Sequence, residues 1–200
     1  MRVLNSGKNM HNAFKVVFDT YKSVDKLMKF CTNRAEGKYY IPTNRFLRYS
    51  SDNEWEGWVY WSFILLFQRE QDGKVEQNDW INAPIYALEI NLDPDTCIEP
   101  EIILAKFEYE DILSWSSGCS PSNHEIFYNP IHEVKLFEST KIDDVNEIIQ
   151  VSPKEGMKQN VANKYWTLKR VVKKKYPLIN ITNENAYEFI FGTFEMLANV

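Results

Sequence analysis

The amino-acid sequence predicts an α+β fold: a long N-terminal helix, a largely antiparallel sheet of about five or six strands, and C-terminal helices packed on it. Three observations carry this. Near the N-terminus, apolar side chains recur at spacings of four and three. Between 38 and 138, short aromatic and β-branched segments are separated by turn-forming residues. After 143 the helical spacing returns, and a chain ordered helix, meander, helices builds an antiparallel sheet because short turns reverse each strand.

The first element spans 9–33. Met10, Phe14, Val17, Tyr21, Val24, Met28 and Cys31 form one apolar seam, Phe18 and Leu27 widen it, and Ala35-Glu36-Gly37 closes the helix. Such a seam suits a coiled coil between two chains. The preferred reading is a helix laid across a sheet or against the C-terminal helices. The strands follow at 39–41, 45–49, 57–69, 84–92, 101–109 and 133–138, punctuated by Ser51-Asp52-Asn53, Gln71-Asp72-Gly73 and Asp93-Pro94-Asp95. Segment 84–92 alternates, with Tyr86, Leu88, Ile90 and Leu92 on one side. The apolar run 58–67 does not alternate, which fits a central strand buried on both faces or a core helix; Gly57 and the aromatic content favour the strand.

Three helices are expected to close the chain, at 143–150, 153–176 and 183–198. Ser152-Pro153-Lys154-Glu155 reads as an N-cap, a proline in the first turn and a capping glutamate, and Pro177 stops the middle helix. The last helix carries Tyr187, Phe189, Ile190, Phe191, Phe194, Met196 and Leu197 around most of its circumference, which implies deep burial.

Two hundred residues, with 44% hydrophobic and 14% aromatic content, suit a single domain over 1–200 with a sizeable core. Three widely spaced cysteines do not form a disulfide framework and fit a reducing cytoplasm. No apolar leader follows Met1, and 58–67 is about half the length of a membrane-spanning helix. A cytoplasmic protein without a membrane segment is therefore expected.

Charge is unevenly spread. Segment 153–176 holds eight bases and one acid, a formal +7 in a chain of net −5, which leaves −12 elsewhere. On a helix, Lys158, Trp166, Lys169, Arg170, Lys173, Lys174 and Lys175 would border the apolar face and offer a binding surface. The same lysines also suit a solvated face, or pairing with the acidic stretch 76–111. The function expected is a non-enzymatic binding or regulatory protein that engages a macromolecule through charge-segregated surfaces. A protein partner is favoured over nucleic acid, because a pI near 5.3 lacks the basic balance of a dedicated nucleic-acid binder. A structural homodimer joined through the N-terminal seam is an alternative.

Two constellations suggest chemistry. Pro94-Asp95 with Glu133-Val134-Lys135 uses residue types that resemble the pattern of PD-(D/E)xK nucleases. That resemblance implies carboxylates holding Mg²⁺ and a lysine activating water, with Glu89 as a third acid. It is fragmentary, since Asp95 falls in a turn far from Glu133, and otherwise no cofactor is expected. The second is Cys119, His124 and His132, whose spacing suits zinc or a thiolate–imidazole pair but lacks a fourth ligand. Among the aromatic residues, Trp55 and Trp80, beside acids and turn residues, are expected to be exposed.

Overall fold

The computed structural model describes residues 2–42, 46–48, 59–115 and 124–200. The chain divides into two compact units, Met1–Glu36 and Gly37–Val200. The first is one helix, α1 (Arg2–Ala35), longer than expected at both ends. Along it, the Thr20 and Ser23 hydroxyls donate back to the carbonyls of Val16 and Asp19 at 2.8 and 2.9 Å.

The second unit is built on one sheet of eight strands: β1 (Tyr39–Tyr40), β2 (Phe46–Arg48), β3 (Ser62–Arg69), β4 (Ile85–Asn91), β5 (Glu101–Tyr109), β6 (Phe137–Asp143), β7 (Ile148–Pro153) and β8 (Leu168–Pro177). Every pairing is antiparallel and the order is β1-β3-β4-β5-β8-β7-β6, with β2 also pairing β3. Helices α2 (His124–His132), α3 (Lys158–Lys164) and α4 (Thr193–Ala198) complete it, the last entered through a π-helical turn at Glu188–Gly192.

Cross-strand partners share a face. One face carries Ile64, Leu66, Ala87, Ala105, Phe107, Val151 and Val171, packed with Phe127 and Ile131 of α2 and Val161 of α3. The other sets Phe67 and Tyr86 against Phe194 at ring separations of 5.5 and 5.4 Å, and Tyr39 against Phe191 at 5.2 Å. Because helices cover both faces, all seven residues of β4 are buried, not only Tyr86, Leu88 and Ile90, which alternation would turn inward. β3 is the central strand its unbroken apolar run suggests.

The structure corrects the expected helix at 153–176. Pro153 ends β7, Gly156 turns the chain at φ 80°, α3 lasts seven residues, and Trp166 and Thr167 at φ 53° and 65° turn it into β8. Val161 and Tyr165 keep their inward positions. From Leu168 onward, the open edge of β5 offers nine register pairs, and the adjacent β-branched Val171 and Val172 are buried on opposite faces, as only a strand allows.

The helix expected at 143–150 is instead the β6–β7 hairpin. Asp143 Oδ1 accepts the backbone N–H groups of Val145 and Asn146 at 2.9 Å, and Glu147 adopts φ 56°: an Asx-stabilised turn outcompetes the helix. The strand expected at 133–138 begins only at Phe137, because α2 runs on through His132 despite Pro130. His124 and His132 are the first and last residues of this one helix. Trp80 is fully buried, edge-on to Trp115 at 5.2 Å, since the Gln68 carboxamide clamps the next residue through Ile81 O and N. Tyr49, Trp55, Trp58 and Cys119 lie outside the described residues.

Candidate functional site

The strand correction redistributes the basic residues. Successive side chains on β8 point to opposite faces, so Lys173 and Lys175 fall on the face covered by α2, and Arg170 and Lys174 on the other. Arg170 makes a two-pronged contact with Glu108 at 2.6 and 2.9 Å and donates to Gln150 at 3.0 Å. Burial alone would raise the Glu108 pKa, but hydrogen bonds from Arg170 and Lys106 outweigh it and hold it low. Lys175 pairs with Glu101 at 3.2 Å, Lys174 lies 5.1 Å from the Tyr176 ring centre, and Lys158 pairs with Glu155 at 2.8 Å. Trp166 packs edge-on against Trp115 at 4.8 Å; Lys169 is exposed. The acidic stretch thus takes up much of this charge: Glu101 and Glu108 both belong to it.

The nuclease-like set has separate partners. Glu89 lies on β4, fully buried. Asp95 is exposed in a turn where its N–H donates to Asp93 Oδ1 at 2.9 Å. Glu133 accepts from the Tyr165 hydroxyl at 3.0 Å, and Lys135 is exposed. Among the described residues, no group of three or more histidine, cysteine or acidic side chains is arranged to hold a metal.

Glu89 instead anchors a polar cluster beneath α2. Residues 124, 128 and 132, four apart, share one face of the helix, and the Tyr128 ring stacks between His124 and His132 at 5.2 and 4.3 Å. His132 Nε2 donates to both Glu89 oxygens at 3.0 Å. The Ser62 hydroxyl donates to Glu89 Oε1 at 2.9 Å and, its one proton so used, accepts from His124 Nε2 at 3.0 Å. His124 Nε2 therefore carries a proton, and burial of the ring, with His132 beside it, pushes its pKa down to about 4, so the imidazole is neutral near pH 7. Lys173, held at about 8 by burial and by Lys175, donates to the carbonyl of Ile131 in the last turn of α2. Nearby, Asn91 Nδ2 donates to Thr96 at 3.0 Å and its Oδ1 accepts the N–H of Asp93 at 3.0 Å. The arrangement clamps α2 to the sheet through oriented polar contacts. The sequence signal for it was the i, i+4, i+8 run of His, Tyr and His, which a metal reading overlooks.

A different feature lies on α1. Met10, Phe14, Val17 and Phe18 are 64, 72, 38 and 69% exposed, a run of apolar side chains along two helical turns. Lys8, Lys15, Lys22 and Lys29 repeat every seventh residue along one flank of that run. With Arg2, Lys26 and Arg34 against Asp19 and Asp25, α1 carries a formal +5, which leaves −10 on the remainder of a chain of net −5. Charge is segregated between α1 and the rest of the sequence, and no helix among the described residues is long and apolar enough to cross a membrane.

Comparison with protein-family models, with curated proteins and with solved structures finds no match.

Proposed function

We propose that this chain is a non-enzymatic binding protein that engages another protein chain through the exposed apolar face of α1. The supporting observation is the exposure of Met10, Phe14, Val17 and Phe18 together. A single exposed leucine or phenylalanine is ordinary, whereas a contiguous patch of large apolar side chains marks an interaction surface. A helix presenting residues at i, i+4, i+7 and i+8 is the form in which amphipathic helices enter apolar grooves or zip with other helices. The basic residues of β8 contribute less to this reading than the sequence suggests, because Arg170 and Lys175 already have acidic partners.

The test is a paired measurement on Phe14→Glu and Phe18→Glu. Both side chains are solvent-exposed, so unfolding free energy should change by no more than about 0.5 kcal/mol. Association with the partner should fall to background. Retained association by both variants, measured by sedimentation or light scattering, would remove α1 from the interface.

A further inference from the structure

We infer that the protein seated on α1 is a second copy of this chain, paired parallel and in register; the inference rests on the reading of α1 as a docking face. From Met10 to Tyr21 the seam keeps a 4-3 alternation, the 3.5-residue repeat that keeps two helices in contact as they supercoil. Val24, Met28 and Cys31, which continue it, are buried in the single chain, so the contact is confined to the N-terminal part of α1. With Met10 and Val17 at d and Phe14 and Tyr21 at a, Ala13 and Thr20 fall at g and His11 and Phe18 at e.

In a parallel pair, each g residue lies beside the e residue five positions further along the other helix. Ala13 then sits beside Phe18 of the second copy, and by two-fold symmetry the same contact forms on the other side. The smallest flanking side chain meets the largest, so the surface is complementary to itself. Ser6 would meet His11 and Thr20 would meet Asp25, so no flank sets like charge against like. An antiparallel pair places e against e and g against g, which deprives Phe18 of its small neighbour. The lysine row lies outside the e position, so in the two-fold pair the two rows run on opposite sides of the seam. Aromatic side chains of this exposure bury enough for a two-copy interface on the order of 1,000 Å², the range of reversible association.

The experiment is sedimentation velocity on the full chain from about 5 to 500 µM, a range that brackets weak dimers. The variants are Ala13→Lys, Phe18→Glu and the double substitution. The wild type should dimerise reversibly, and each single substitution should weaken the dimer about tenfold or more. The double variant should recover it through new lysine–glutamate contacts between copies, now weakened by salt. Recovery requires Ala13 and Phe18 to face each other across two copies, so no other partner explains it.

A wild-type dimer indifferent to both single substitutions overturns the inference. So does a wild type that stays monomeric throughout, and the apolar dye anilinonaphthalene sulfonate then separates two failures. Dye binding that Phe14→Glu abolishes leaves α1 as a docking face for a different protein. Absence of such binding removes the docking face as well.

Discussion

His124 makes the residue scale measurable. Its imidazole is held neutral between Ser62 and the Tyr128 ring, with a pKa of about 4 against 6.5 for a free side chain. The unfolded chain takes up a proton below pH 6.5 that the folded protein refuses until about pH 4. The stability this site confers is therefore complete above pH 6.5 and lost as pH falls toward 4, by about 3 kcal/mol at 1.36 kcal/mol per pH unit. His124→Gln keeps an N–H donor where Nε2 sits and has nothing to titrate. Urea unfolding at pH 7 and at pH 4.5 should show a smaller loss for the variant than for the wild type; equal losses would mean that His124 is not buried neutral. The residues of this cluster were individually conspicuous in the sequence, Glu89 as an acid, the histidines as ligands, Lys173 as part of a basic surface. Their convergence was not, because the contacts that join them span 62, 43 and 42 residues.

At the scale of the element, what could be read depended on whether local pattern and tertiary demand agree. β5 begins and ends at the residues its composition and turns suggest, and β3 answers to its unbroken apolar run. β8 satisfied two templates at once. Val161, Tyr165, Leu168, Val172 and Tyr176 recur at helical intervals, while Val171 and Val172 favour a strand. The decision fell to β5, whose Glu101 pairs with Pro177 across the sequence, and a single segment carries no trace of that edge. The β6–β7 hairpin poses the same conflict in four residues and gives it a sign. Glu147 is exposed and adopts φ 56°, a conformation that costs a residue with a Cβ roughly 1 kcal/mol and glycine little. Glu147→Gly should raise stability by about 0.5–1 kcal/mol; in the helix expected from sequence it would lower it by a similar amount. Thermal unfolding of this one variant separates the two structures.

For the whole molecule, net charge decides how the proposed association responds to its surroundings. Each copy carries a formal −5, and α1 a formal +5 of its own, so two copies that meet through α1 bring like net charge together at longer range, although no like charges face each other across the seam itself. Salt screens that repulsion, with a Debye length of about 10 Å at 0.1 M and 3 Å at 1 M, and leaves apolar burial intact. Association through Met10, Phe14, Val17 and Phe18 should thus persist or tighten as salt rises from about 50 to 500 mM. A phosphate backbone held by Lys169, Arg170, Lys173, Lys174 and Lys175 predicts the reverse, since each contact releases counterions and steepens the loss of affinity with salt. β8 argues against that reversal physically: Arg170 and Lys175 would have to leave Glu108 and Glu101, and Lys173 the carbonyl of Ile131, before meeting a phosphate. Sedimentation at three salt concentrations, with and without an oligonucleotide, reads both slopes. A self-association that weakens steeply with salt would place charge, not the α1 seam, at the interface.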